Sequence, residues 1–333
     1  MLDPSIISKY KSALMGYAIL WVFFFHVPLY IPIISIWSSI GWGGVDVFLF
    51  LSAIGLSFSL IRNPDVIQFY KRRVYRIIPT WWILITVFLI FAVFNNGIHP
   101  RNIFEGLLYY TGAGWWINGC FDNFRYVAYE WYVPTLLLFY ILTPMLIKLK
   151  NRVLWIMLIC CALIAGWLSY TGLLSSIYWS YQRLPIFIFG IIYYRHIVQY
   201  NQLGNNTHKR IIVFELLGFL TGLFLLFLSP RLSFERVFEL YWQRMGILLM
   251  MPMMLKVIAW IIKSIKLSVV FSFFGSISLE IYLTHIYCLQ DNFHPFFFIG
   301  NNISNPNLAS ILILMTVSIF AFAFNKCTKI IIR

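Results

Sequence analysis

The 333-residue chain is 61% hydrophobic and 20% aromatic, carries only 11% charged residues, and has a mean hydropathy of +0.82. That profile excludes a soluble fold. A net charge of +14 raises nucleic acid as a partner, but the basic residues sit in short connections and at the ends of apolar segments, where they set membrane orientation instead.

With about 20 apolar residues needed per crossing, the pattern predicts ten spanning segments. They lie near 13–33, 37–61, 79–95, 131–147, 153–169, 184–200, 211–228, 244–262, 267–288 and 307–325. The first contains LWVFFFHVPLY, which sets His26 in an otherwise apolar run. It is long enough to span and lacks a small-residue cleavage pattern, so it is expected to insert and stay. The second holds Asp46 close to its start.

FYKRRVYRIIP, residues 69–79, follows and places Lys71, Arg72, Arg73 and Arg76 directly before Pro79 and the third segment. On a helix, Arg76 shares a face with Arg73 and Arg72, three and four residues back. Guanidinium groups arrayed in this way suit phosphoryl oxygens. The bland alternative is an orientation signal or attraction to anionic lipid. Between the third and fourth segments, residues 109–132 are rich in Trp and Tyr and carry Asp122 and Glu130. Such a stretch fits carbohydrate or an interfacial aromatic belt.

The ninth segment brings Glu280 and His285, the latter sharing a helix face with Ser278 and Tyr282. Ionisable residues within spans usually face a bundle interior or a wet cavity. His26, Asp46, Glu280 and His285 are therefore the candidates for function, and helix rise puts all four in the same half of the membrane. Asp46 is read as a site residue or as half of a buried ion pair, and Glu280 as structural. The five cysteines show no CxxC and no metal spacing and are read as packing residues.

With the N-terminus inside, one side collects 19 of the 25 basic residues. The other has Arg101, Arg125, Arg183, Arg231, Arg236 and Arg244. The expected architecture is an all-α membrane protein, one domain over residues 1–333, built as a single bundle of about ten transmembrane helices with both termini cytoplasmic.

Five ordered blocks carry a resemblance: LMGYAILWVFFFH (14–26), GVDVFLFLSAIGL (44–56), FYKRRVYRIIP (69–79), WYVPTLLLFYILTP (131–144) and GSISLEIYLTH (275–285). Together they resemble the acyltransferase 3 family, integral-membrane enzymes that acylate bacterial polysaccharides and related glycans. The resemblance runs from residue 11 to about 326. It implies transfer of an acyl group, acetyl foremost, from acyl-CoA to a hydroxyl of a cell-surface or lipid-linked glycan, in the bacterial cytoplasmic membrane and without a metal. By position it implies His26 as general base or relay, Asp46 and His285 as further catalytic residues, and Arg73 and Arg76 as holders of the donor's phosphates. Lys71 and Arg72 are grouped with that pair on the shared cationic face. A soluble esterase-like extension known in the family is not expected here.

Two positions depart from the family pattern. Met15 stands where an arginine is typical, with Lys11 one turn earlier on the same face, and Leu136 stands where many members have a glutamate. These departures keep two alternatives open: a transporter or flippase of a small solute or lipid-linked sugar, and a catalytically inactive relative in a polysaccharide assembly complex. No nucleophile elbow, HExxH or Walker pattern is present in the sequence.

Overall fold

The computed structural model of the chain describes residues 3–94, 102–117, 131–172, 178–200, 205–232, 235–288 and 303–331. Every regular element among them is helical. In chain order these are α1 (Ser5–Lys9), α2 (Lys11–His26), α3 (Pro32–Ser39), α4 (Gly44–Arg62), α5 (Val66–Phe94), α6 (Ile103–Thr111), α7 (Ala113–Ile117) and α8 (Tyr132–Lys148). They continue with α9 (Asn151–Thr171), α10 (Tyr178–Tyr181), α11 (Leu184–Gln199), α12 (Asn205–Leu228), α13 (Arg236–Ser264), α14 (Ser268–Ser276), α15 (Ser278–Cys288) and α16 (Pro306–Ile331).

Among the described residues five stretches, Gly41–Arg62, Asn151–Thr171, Thr207–Arg231, Arg236–Ser264 and Pro306–Ile330, are long and apolar enough to cross a membrane. Lys11–His26, Tyr132–Lys148 and Leu184–Gln199 are apolar but shorter. The exposed face of α12 is built from Val213, Phe214, Leu217, Leu220, Phe224 and Phe227. A surface of that kind belongs in hydrocarbon. α4 is the opposite case: its Val45–Ile54 stretch is buried throughout, so this helix forms the axis of the bundle.

Three expected spans are shorter or interrupted, each for a local reason. The first helix stops at His26 because Pro28 excludes the helical region for Val27, which turns away at φ −125°, ψ 77°. His26 is therefore the last residue of its helix and is exposed. The second expected span is broken by a 3₁₀ turn at Gly41–Gly43, after which α4 begins at Gly44. The ninth is broken at Ile277, which leaves the helical region at φ −117°, ψ 18° and divides α14 from α15.

The contact that fixes the register of the site lies between α2 and α14. Gly16 and Gly275 bring the two backbones together. A Cβ on Gly275 would overlap the Ser12 carbonyl oxygen, and one on Gly16 would overlap that of Phe271. The Ser12 hydroxyl adds a 3.4 Å bond to the Ser272 carbonyl. Small residues let helices in a membrane approach to backbone contact, where packing replaces the absent hydrophobic drive. Replacing Gly275 by Val is expected to lower the melting temperature of the purified protein, because the clash is with backbone and cannot be relieved by a side-chain rotation. Gly106→Ala, at a site with nothing within 4 Å of the new Cβ, is the control and should leave melting unchanged within about a degree, the small effect expected of an open surface position.

Candidate active site

The two helices that touch at Gly16 and Gly275 run in the same direction. His26 lies ten residues beyond Gly16 on α2, and His285 ten residues beyond Gly275 on α14 and α15. Equal offsets from one contact bring the two rings side by side, with centroids 5.2 Å apart. His285 is wholly buried. Its Nδ1 donates to the Ile281 carbonyl at 2.9 Å, since a carbonyl can only accept. That bond fixes the tautomer and leaves Nε2 with a lone pair that has no hydrogen-bond partner among the described residues.

A column of rings leads away from the pair. Tyr282 packs on His285 at 5.5 Å between centroids, and Tyr132 packs on Tyr282 at 4.6 Å. Both tyrosines line a cavity of about 80 Å³ whose walls also include Arg73, Arg76, Tyr140, Ser52, Ser278, Met15 and Leu136. Arg73 and Gly55 are shared with a wider open groove lined by Arg62, Arg72, Ser59 and Asn63. The groove, the cavity and the tyrosine column thus connect the basic end of the bundle to the histidine pair.

Of the four cations expected from residues 71–76, Arg73 and Arg76 reach the cavity and Arg72 reaches the groove. Lys71 is exposed and lines neither. Met15 and Leu136, the two departures from the family pattern, both line the cavity. Most of the aromatic stretch with Asp122 and Glu130 lies outside the described residues.

Asp46 is engaged elsewhere. Its Oδ1 accepts from an Arg183 guanidinium nitrogen at 2.6 Å, with both side chains at most 3% exposed. The Arg183 guanidinium also stacks over the Trp131 ring at 4.6 Å. Arg244, stacked over Trp42 at 5.6 Å, acts electrostatically on the same carboxylate. Asp46 sits in the first turn of α4, where a negative charge is favoured by the helix dipole. The alternative of a buried ion pair is thus the arrangement found, and it ties α4 to the start of α11.

Glu280, expected to be structural, accepts from Asn325 at 2.6 Å and joins α15 to α16. Thr284 bonds to the backbone carbonyl of Glu280, not to its carboxylate.

Sequence reasoning missed the buried partners. Arg183 and Arg244, counted as charges of an outer loop, are 1% and 2% exposed. Lys256, counted as an inner-side charge, is buried against Glu215 at 2.5 Å, and Tyr193 donates to the same carboxylate at 3.0 Å. The usable signal was their position inside or at the edge of an apolar segment, where an unpaired charge is costly. Among the described residues no group of His, Cys, Asp and Glu is arranged to hold a metal.

A family model described as an acyltransferase domain matches residues 13–325. Among curated proteins, the O-acetyltransferase OatA of Staphylococcus aureus strain NCTC 8325 is 27% identical over 150 residues, as is that of strain COL. Each match covers 41% of this chain and 24% of the relative, so the chain matches about a quarter of those proteins' length. No solved structure matches.

Breaking the Asp46 pair on one side leaves a buried charge uncompensated. Asp46→Ala is expected to cost about 3–5 kcal/mol, read as a lower melting temperature in detergent. The double variant Asp46→Leu with Arg183→Met should recover part of that loss, since apolar isosteres often replace a buried pair without net cost, although Arg244 still loses its attraction to the carboxylate.

Proposed function

The chain belongs to the acyltransferase 3 family, and from that premise we propose that it is a membrane-bound O-acyltransferase using acyl-CoA as donor and a glycan hydroxyl as acceptor. The observation that carries this reading is the pairing of His26 with His285 at one end of a tyrosine column whose other end is a cationic cavity. The relatives' name, O-acetyltransferase, supports acetyl as the group transferred and a hydroxyl as its acceptor; the acceptor we propose is a cell-surface or lipid-linked sugar. The distribution of basic residues supports about ten crossings with both termini inside, the shorter apolar helices supplying crossings beyond the five long ones, and the family reading supports the bacterial cytoplasmic membrane as the site.

In this reading coenzyme A lies along the basic groove. Arg72, Arg73 and Arg76 hold its phosphates through forked, charge-assisted hydrogen bonds, and Lys71 adds to the positive field at the surface. The thioester end points along the cavity toward Tyr282. The acceptor approaches from the opposite end, where His26 is exposed.

His26 removes the proton as the sugar oxygen attacks the thioester carbonyl carbon. Collapse of the addition intermediate breaks the carbon–sulfur bond, and the proton passes to the departing thiolate. His285, with Nδ1 held by the Ile281 carbonyl, turns the lone pair of Nε2 toward this step and serves as second catalytic histidine. Asp46 acts at one remove: through Arg183 it holds α4 and α11, and with them the wall of the cavity. No metal is invoked.

Membranes containing the protein, given radiolabelled acetyl-CoA, should place label in extractable glycan, and His26→Ala should reduce it by about a hundredfold or more, as expected for loss of a general base. Equal labelling by both proteins, or none by either when both are folded, rejects the reading. Replacing Arg73 and Arg76 by Gln should raise the KM for acetyl-CoA by about tenfold or more with a smaller effect on kcat, since the contacts are made in ground and transition states alike.

A further inference from the structure

The cavity has a third cation. Lys11, in the first turn of α2, lines it together with Arg73 and Arg76. Among the described residues that line it there is no carboxylate. Glu280, the acid that acts on Arg76 from nearby, is engaged by Asn325. Lys11 and Arg73 are half-buried and Arg76 is exposed, so three like charges around one small, partly enclosed space repel each other with incomplete solvent screening, and an entering anion relieves that repulsion.

Gly55 on α4 admits the third charge. Any Cβ at that position would overlap Lys11 Nζ. The ammonium therefore occupies the volume in which the side chain of another residue would begin. Because the colliding atom is the tip of a flexible side chain, filling position 55 would turn Lys11 aside and leave the helices in place.

The lining also changes character along its length. On successive turns toward the histidine pair, α2 offers Lys11 and then Met15, α4 offers Gly55, Ser52 and then Phe48, and α8 offers Tyr140, Leu136 and then Tyr132. Charge is concentrated at one end and apolar surface at the other. From Lys11 to His26 the rise along α2 is about 22 Å at ~1.5 Å per residue. The order of the lining residues matches the order of parts in a ligand with a multiply charged head and an uncharged arm, the head at the basic groove and the arm directed along the cavity.

We propose that Lys11 is a phosphate-binding residue of the donor site, admitted by Gly55, and that Met15 and Leu136 form an apolar sleeve for the uncharged arm. This rests on reading the cavity as the donor site. Lys11 supplies one of three charges on the donor's phosphates, and the sleeve carries the arm toward Tyr282 without a charge of its own.

The test is binding of coenzyme A to the purified full chain by titration calorimetry, with the ligand-free melting temperature as a second readout. Lys11→Gln should weaken binding about ten- to hundredfold, the loss of one charge-assisted contact, and Lys11→Arg should restore most of it. Lys11→Gln should also leave ligand-free melting unchanged or raise it, because one of three repelling charges is gone. A lysine with a structural partner would lower it. Gly55→Ala should weaken binding alone and add little on top of Lys11→Gln, since both act through the same ammonium.

If Lys11→Gln binds as wild type while Arg73→Gln binds more weakly, Lys11 is not a donor residue, although the donor reading of the cavity stands. If neither change weakens binding, the donor reading fails and this inference with it. Additive effects of Gly55→Ala and Lys11→Gln would overturn the role given to Gly55.

Discussion

The backbone contact between Gly16 and Gly275 is the constraint on which the rest of the site depends. It sets α2 and α14 side by side at one level and in one direction, and the chain then needs only equal lengths on each helix to bring His26 to His285. A side chain at either glycine would separate the helices and move two histidines that touch neither glycine. The break at Ile277 lies between Gly275 and His285 and is bridged by the Ser278 hydroxyl, which donates to the Gly275 carbonyl at 3.0 Å. The offset is thus held by local hydrogen bonding as well as by packing.

A second constraint is where the bundle allows charge. Asp46 with Arg183, and Glu215 with Lys256 and Tyr193, are buried groups matched by buried partners. Pairs of this kind hold helices in register. The cavity is different, since cations line it without a carboxylate among the described residues. That contrast sets charges that organise the fold apart from charges lining a cavity, and it is the physical basis for proposing that the donor binds at the basic end. The histidine pair lies outside both groups, with Nδ1 of His285 held by a backbone carbonyl and its Nε2 without a hydrogen-bond partner among the described residues.

Much of this was legible in the sequence, because composition alone determines the solvent a chain can live in. The histidines and Asp46 stood out as ionisable groups in apolar runs, and Arg73 and Arg76 as a cluster at a helix end. Hydropathy averages over a window, so it could not register the single residues that end helices: Pro28, the Gly41–Gly43 turn and Ile277. Nor could it choose partners. Asp46 meets Arg183 across 137 residues of chain, and no local pattern distinguishes that arginine from a loop charge that orients a span. Lys11 could be placed on the same face as Met15. That it reaches the cavity depends on an empty position on another helix, Gly55, which is a property of the assembled bundle.

The central claim is that one chain joins a donor at its basic end to an acceptor at the opposite end through the histidine pair. Sealed proteoliposomes with the protein in one orientation test it, with radiolabelled acetyl-CoA confined to the side of the basic residues and a glycan acceptor confined to the other. Labelled glycan is expected on the acceptor side, at a rate that falls to background when either His26 or His285 is replaced. Labelling only when donor and acceptor share a side, or labelling unaffected by loss of both histidines, would contradict it.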